Sequence, residues 1–420
     1  MNSFVDPIQQ EVDRLYKSHY GKMVATLLKS FQDSSLDMVE DLVQDAFAAA
    51  LTAWRRDGIP SNAAGWIYTV CKNNGLNKIK KDKRTRTLAL HDDGPVAGPA
   101  FKEPMPGEKP VLGDQSLTLL FACAHPDLSP KVQVVITLKY VANLKVEAIA
   151  KALGMGIDGV DKLLLRARKK IKEEKIFLKE PDPAQLTNRL PIVHKIIYLI
   201  FNEGYKPSTG ASILQEDLCE EALLVTKALL DSKVGDGVTS ALYALMLFNA
   251  ARFKARSGSG GELLDLEEQD RSLWNQSLIS LGCDYLRLSM GKDVSTYHCE
   301  AAIAYLHCTA NDFPSTNWTL IASLYGRLLE MTPNPFVELN YAIALYYSGQ
   351  KIRALDMLNA LLQHPFLHQY YLLNATLGKL YLLEGNAVKA REFFEKTLRQ
   401  PLLPPEKDFI RRMLGSIKEG

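Results

Sequence analysis

Signatures of chemistry are scarce in this chain of 420 residues. Its 6 Cys and 8 His are scattered, with no CxxC, no HExxH, no GxSxG and no phosphate-binding glycine loop. Those absences remove the common zinc, hydrolase and nucleotide-dependent enzyme classes. Cys123 with His125, and Cys299 with His307 and Cys308, are conceivable metal ligands, but cysteine on an apolar helix face belongs to a core. Glu203 and the cluster Asp217, Glu220 and Glu221 lack a paired base and read as caps and solvated faces. The expectation is a protein that is not an enzyme, with no cofactor, no metal and no small-molecule substrate. No run approaches 18 apolar residues and no signal peptide opens the chain, which predicts a cytoplasmic protein with reduced thiols and no membrane partner.

Net charge is almost absent too, +2 from 50 Lys+Arg and 48 Asp+Glu, but this balance hides strong local patterning. Between Phe31 and Trp54 there is no Lys or Arg, while Asp33, Asp37, Glu40, Asp41 and Asp45 crowd the first half. The apolar stripe Val39, Leu42, Val43, Ala46, Phe47, Ala50, Leu51 and Trp54 predicts an amphipathic helix. Asp41, Gln44 and Asp45 then lie on its opposite side, either as a plain solvated face or as a surface for a basic protein partner. From Trp66 to Arg86 the sign inverts: Lys72, Lys78, Lys80, Lys81, Lys83, Arg84 and Arg86 stand against Asp82 alone. Asn73, Asn74 and Asn77 are interleaved, and amides at helical spacing can read base edges while cations hold phosphates. Trp66 serves either as a stacking surface or as a cap on a small core with Ile67, Val70 and Ile79.

Leu144 to Lys172, LKVEAIAKALGMGIDGVDKLLLRARKKIK, reads as two helices joined by a tight turn. Val146, Ile149, Ala150 and Leu153 give the first its helical period, and Gly154 sits where a helix stops by entering the left-handed region. Val160, Leu163, Leu164, Ala167 and Ile171 repeat the period, leaving Lys162, Arg166, Lys169 and Lys170 as a basic stripe. Asp158 is placed to cap this second helix. The pattern is a helix-turn-helix that points to DNA, or else a helical hairpin with a solvated basic face.

An acidic helix, a Trp-led basic helix, a linker and a helix-turn-helix, in that order, resemble an extracytoplasmic-function sigma factor of bacterial RNA polymerase. DLVQDAF, Asp41 to Phe47, is similar to that family's polymerase-binding motif, and GWIYTVCKNNGLNKIKKDKR, Gly65 to Arg84, to its minus-10 helix. FACAHPDLSPKVQVVITLKYVANL, Phe121 to Leu144, with the helix-turn-helix after it, resembles the minus-35 domain. The resemblance implies two partners, core RNA polymerase and promoter DNA. It assigns Asp41, Gln44 and Asp45 to polymerase binding. It assigns Ser61, Asn62, Trp66, Asn73, Asn74, Asn77, Lys78, Lys80 and Lys81 to the minus-10 element, with a base pocket in the loop from Gly58 to Gly65. Asp161, Lys162, Arg166 and Lys169 are assigned to minus-35. The chain departs from the family where Lys145, Val146 and Ala148 replace the usual cap and acid, at Leu163, at Asn77, and at Gly75, which interrupts the basic helix.

The expected architecture is all-α: a region-2 helical bundle over 8–86, a flexible linker over 87–113, a region-4 helix-turn-helix domain over 114–178 and a helical-repeat domain over 190–420. The linker is rich in Pro and Gly, and Pro181 and Pro183 mark a second seam. Gly349 with Gly385, Ala354 with Ala390 and Leu358 with Phe394 recur at a period of 36 residues, which resembles tetratricopeptide repeats. Such an extension on a sigma factor resembles one subgroup of the family and predicts a built-in regulator contacting the sigma domains. The other reading is a repeat scaffold whose sigma-like part binds polymerase or another partner without promoter-specific initiation.

Overall fold

The computed structural model describes residues 6–31, 36–89, 114–208, 212–232, 234–258, 260–291, 294–365, 367 and 370–417; of residues 17, 18, 29 and 81–89 it describes the backbone alone. All regular elements among these residues are helical, and the one β contact is an isolated bridge between Ser257 and Leu263. The chain divides into two compact units, one of 1–200 with 231–234 and one of 201–230 with 235–420.

In the first unit, α1 (Pro7–Ser30), α2 (Leu36–Asp57) and α3 (Ala63–Ala89) form a bundle. Helix α1 starts at Asp6, whose carboxylate accepts from the Ile8 amide at 3.0 Å, a side-chain cap on donors the helix cannot satisfy itself. Val24, Leu27, Val39, Val43, Ala46, Ala50 and Ile67 are fully buried at the centre. Gly75 does not interrupt α3. The helix runs through it, and a Cβ there would meet the Phe31 ring at 2.6 Å, so glycine is what lets α3 close on α1 and α2. The predicted linker starts late, since the α3 backbone reaches Ala89; positions 90–113 lie outside the described residues.

Helices α4 (Gln115–Cys123), α5 (Pro130–Tyr140), α6 (Val146–Ala152) and α7 (Ile157–Glu173) build a second bundle in the same unit. Helix α4 is buried nearly all round, which matches a sequence without polar positions after Thr118. Gly154 has φ of 61°, the left-handed conformation its residue type allows at low cost, and it ends the α6 turn. The cap of α7 is Gly156, not Asp158; Asp158 instead sits in the first turn, where a carboxylate complements the helix dipole. The glycines of GMGIDG, Gly154 to Gly159, happen to have dinucleotide-loop spacing, but they join two helices and follow no strand. Helix α8 (Pro183–Tyr205) begins in the first unit, where Arg189 Nη1 donates to the Phe121 carbonyl at 2.7 Å.

The second unit contains α9 (Glu216–Asp231), α10 (Gly237–Ala250), α11 (Gln276–Leu288), α12 (Thr296–Thr309), α13 (Trp318–Met331), α14 (Pro335–Tyr347), α15 (Lys351–Leu361), α16 (Tyr371–Leu383), α17 (Ala387–Leu398) and α18 (Pro404–Gly415). From α12 onward each helix packs on the next, as in a solenoid. The 36-residue echo is structural: Gly349 and Gly385 both turn with positive φ, 95° and 74°. Ala354, Ala390, Leu358 and Phe394 are all fully buried, with a Cβ on Gly378 falling 2.8 Å from the Phe394 ring.

Candidate nucleic-acid interface

Helix α2 buries Val39, Leu42, Val43, Ala46, Phe47, Ala50 and Trp54 and leaves Asp41, Gln44 and Asp45 exposed together on one side. The burial extends further than the stripe implies, because Glu40 is also inside, 8% exposed. The Gln44 amide reaches Glu40 at 3.4 Å, and Asp41 faces Lys78 of α3 at 3.7 Å. The acidic and basic helices therefore lie side by side, joined by exposed pairs that contribute little individually.

The loop before α3 turns at Gly58, with φ of 81°. Ser61 and Asn62 are exposed, and the Asn62 side-chain oxygen accepts from the Gly65 amide at 2.9 Å, so this residue caps the helix as well as facing solvent. Trp66 meets Trp54 edge-on at 5.7 Å and remains half-buried, anchored at one edge and open at another. Asn73, Asn77, Lys78 and Lys80 are exposed and Asn74 is half-buried, all on the solvent side of α3. The Lys81 side chain lies outside the described residues, as do those of Lys83, Arg84 and Arg86.

On α7, Val160, Leu164, Ala167 and Ile171 face the bundle, while Asp161, Lys162, Arg166 and Lys169 are exposed. Leu163 is only half-buried, and Leu165, at 67% exposure, adds an apolar side chain to the outer face. Lys170 is drawn away from that face, donating to the Asp127 carbonyl at 2.6 Å.

Sequence reasoning missed Arg168. Its guanidinium donates to the Tyr140 hydroxyl at 2.7 Å and pairs with Asp37 at 2.9 Å and Glu40 at 3.0 Å. Burial works against its charge, yet the Tyr140 hydroxyl and the two carboxylates outweigh burial and hold the guanidinium above its ordinary value. Burial pushes the Tyr140 phenol up to about 12. The available signal was Glu40, a carboxylate on the margin of an apolar stripe, which requires a cation from elsewhere in the fold.

Cys71 and Cys123 are fully buried, and burial pushes each thiol up to about 12, far from the thiolate range. Among the described residues no three His, Cys, Asp or Glu converge on a point, and no helix is long and apolar enough to cross a membrane.

Comparison with known proteins adds three family matches: Sigma-70 region 2 over residues 15–85, Sigma-70 region 4 over 118–171, and a family of unknown function, DUF6596, over 189–290. An uncharacterized protein of Rhizobium meliloti is 30% identical over 410 residues, covering 97% of this chain and 96% of that protein. The RNA polymerase sigma factor YlaC of Bacillus subtilis is 21% identical over 174 residues, 41% of this chain and 97% of its own length. An extracytoplasmic-function sigma factor of Mycobacterium tuberculosis, SigG, is 28% identical over 156 residues, 33% of this chain and 42% of that protein. The region-2 match runs from within α1 to within α3, and the region-4 match from within α4 to within α7.

Proposed function

The chain belongs to the extracytoplasmic-function sigma factors of the sigma-70 family, an assignment shared by both bundles, and from it we propose how the labour is divided among the helices. The protein is an RNA polymerase sigma factor for promoter recognition and initiation; sigma factors bind core polymerase and promoter DNA, and they are not catalytic enzymes. Its working place is then the cytoplasm, with polymerase.

The observation that carries the proposal is the segregation of charge on adjacent helices. The exposed acids Asp41 and Asp45, with Gln44, present a polar rim to a basic surface of core enzyme, where complementary charge sets register and speeds encounter. Helix α3 brings Lys78 and Lys80 to phosphates and Asn73, Asn74 and Asn77 to bases, with Ser61, Asn62 and Trp66 at the loop that receives unstacked minus-10 bases. Helix α7 lies in the minus-35 major groove through Lys162, Arg166 and Lys169, with Asp161 at its edge. Half-buried Leu163 and outward Leu165 offer no hydrogen bond to a base edge, so minus-35 binding leans on phosphate contacts from the basic residues more than on base edges.

The second unit acts as a covalently attached regulator of the sigma modules. A tethered solenoid meets its target at millimolar effective concentration, so a weak contact suffices. Reversing Asp41 and Asp45 to Lys should abolish co-purification with core enzyme while helicity is retained. Transcription from a defined promoter by purified protein plus core is the direct check, and its failure would favour a scaffold. To test the regulator, the cut belongs beyond Ile200, because α8 as far as Ile200 belongs to the first unit. Unchanged promoter output from that truncation, with no effect of the added-back fragment, would refute it.

A further inference from the structure

The two sigma modules meet within the first unit, and the contact falls on α2. Arg168, from the helix assigned to minus-35, reaches across 128 positions to Glu40, and Asp37 stands beside it. Lys139, at the end of α5, approaches Glu40 at 3.9 Å. Glu40 in turn touches Gln44, so the chain of contacts runs from the DNA-facing module straight to the surface assigned to polymerase. These are not loose surface pairs: the Glu40 side chain is 11% exposed and that of Arg168 31%.

The seam is fitted as well as charged. A Cβ on Gly21 of α1 would collide with the Val141 carbonyl just past α5, so the two backbones approach as closely as glycine permits. Tyr20, 1% exposed, lies in this seam, its phenol raised by burial and then by Glu40. Thr26 donates to the Gln115 side chain at 2.7 Å, tying α1 to α4. Meanwhile Lys162, Arg166 and Lys169 remain exposed on the far side of α7.

We infer that Arg168 is a latch holding region 4 against the acidic margin of region 2, and that core polymerase binds only after this latch opens. The inference rests on the assignment of α2 to polymerase. Glu40 and Asp37 cannot pair with Arg168 and with an incoming basic surface at once, and Gln44, which touches Glu40, lies at the edge of that shared patch. The apparent affinity for core is lowered by the fraction of molecules that are open. A closed fraction of about nine-tenths lowers it about tenfold.

The test uses the full chain and core enzyme without DNA, so that any effect of α7 on promoters is removed. Arg168→Ala takes away the charge and Gly21→Ala wedges the seam by an independent route. Each should raise core affinity about three- to tenfold. Arg168→Lys, which keeps the charge and loses the forked geometry, should fall between wild type and Arg168→Ala. Fluorescent probes at Thr52→Cys on α2 and Glu173→Cys on α7 should report a longer separation in both opened variants before core is added. If separation and affinity are unchanged in Arg168→Ala and Gly21→Ala while Asp41→Lys with Asp45→Lys still abolishes binding, the latch is overturned and the α2 assignment stands. Core binding that survives the Asp41 and Asp45 reversal overturns the α2 assignment and the masking with it.

Discussion

The two halves of this protein join their parts by opposite means. Where the bundle of α1 to α3 meets that of α4 to α7, the named contacts are a guanidinium between carboxylates, a hydroxyl on an amide and a glycine against a carbonyl. Along α15, α16 and α17, Ala354, Leu358, Leu377, Ala390 and Phe394 share one apolar core, all with 0% exposure. Apolar burial is non-directional and lost in full when surfaces part, whereas a charged seam has an alternative partner in water or in another protein. The comparison teaches that the seam of the first half, although it also buries Tyr20 and Tyr140, carries charges that another partner could take over, which is what the proposed latch requires, whereas the repeats offer no such exchange.

The sharpest way to break this contrast is to hollow the repeat seam. Phe394→Ala should cost about 3–5 kcal/mol and Leu358→Ala about 2–5 kcal/mol, read as a lowered denaturant midpoint of the second unit. The DNA-facing modules should keep their own transition. If either substitution costs less than a surface change does, the repeats are not held by that core.

A second effect is graded by pH. His307 is driven down to about 3 by burial and then by Arg252 and Arg271, well below its unfolded value. Between roughly 6.5 and 3 the unfolded chain therefore binds a proton that the folded one refuses, and stability falls as pH falls through that window. One such group supplies up to about 1.4 kcal/mol per pH unit. His307→Phe, which keeps a ring against Trp318, should flatten the acid limb of the second unit's stability curve and leave the first unit's unchanged.

The charged seam should respond less. Glu40→Gln removes the carboxylate but keeps the shape, and Asp37 retains Arg168, so the expected loss is about 1 kcal/mol. Chemical denaturation of the full chain would show it as a small shift confined to the first unit; a loss matching Phe394→Ala would erase the distinction between the seams. Of similar size, Gly349→Ala, at φ of 95°, should cost about 1–2 kcal/mol, since only the turn geometry is strained.

What was legible beforehand was periodic or local. The turn at Gly154, the faces of α2 and α7, and the pairing of Gly349 with Gly385 follow from spacing within one or two helices. What was not legible depends on partners far along the chain. Gly75 looks like a helix breaker in isolation and becomes a packing requirement only once Phe31 and Leu42 arrive against it. Asp158 looks like a cap until the extended backbone of Gly156 takes that position. Of the assigned contact residues, Asp41, Gln44, Asp45, Lys162, Arg166 and Lys169 are exposed as their helical phase dictates, whereas nothing local distinguishes Arg168 from its basic neighbours.

Glu40 has a consequence for how binding would depend on salt. Glu40 is 8% exposed and paired with Arg168 while the seam is closed, so a basic partner that lifts Arg168 away puts a cation of its own in the place that one leaves. Engagement at this spot is then an ion exchange between two protein cations, in which few small ions are taken up or released. Most acidic surfaces shed their sodium atmosphere when a basic partner arrives and lose affinity steeply as salt rises. This one has already shed it to its own chain, and added salt would weaken the internal partner and the external one alike.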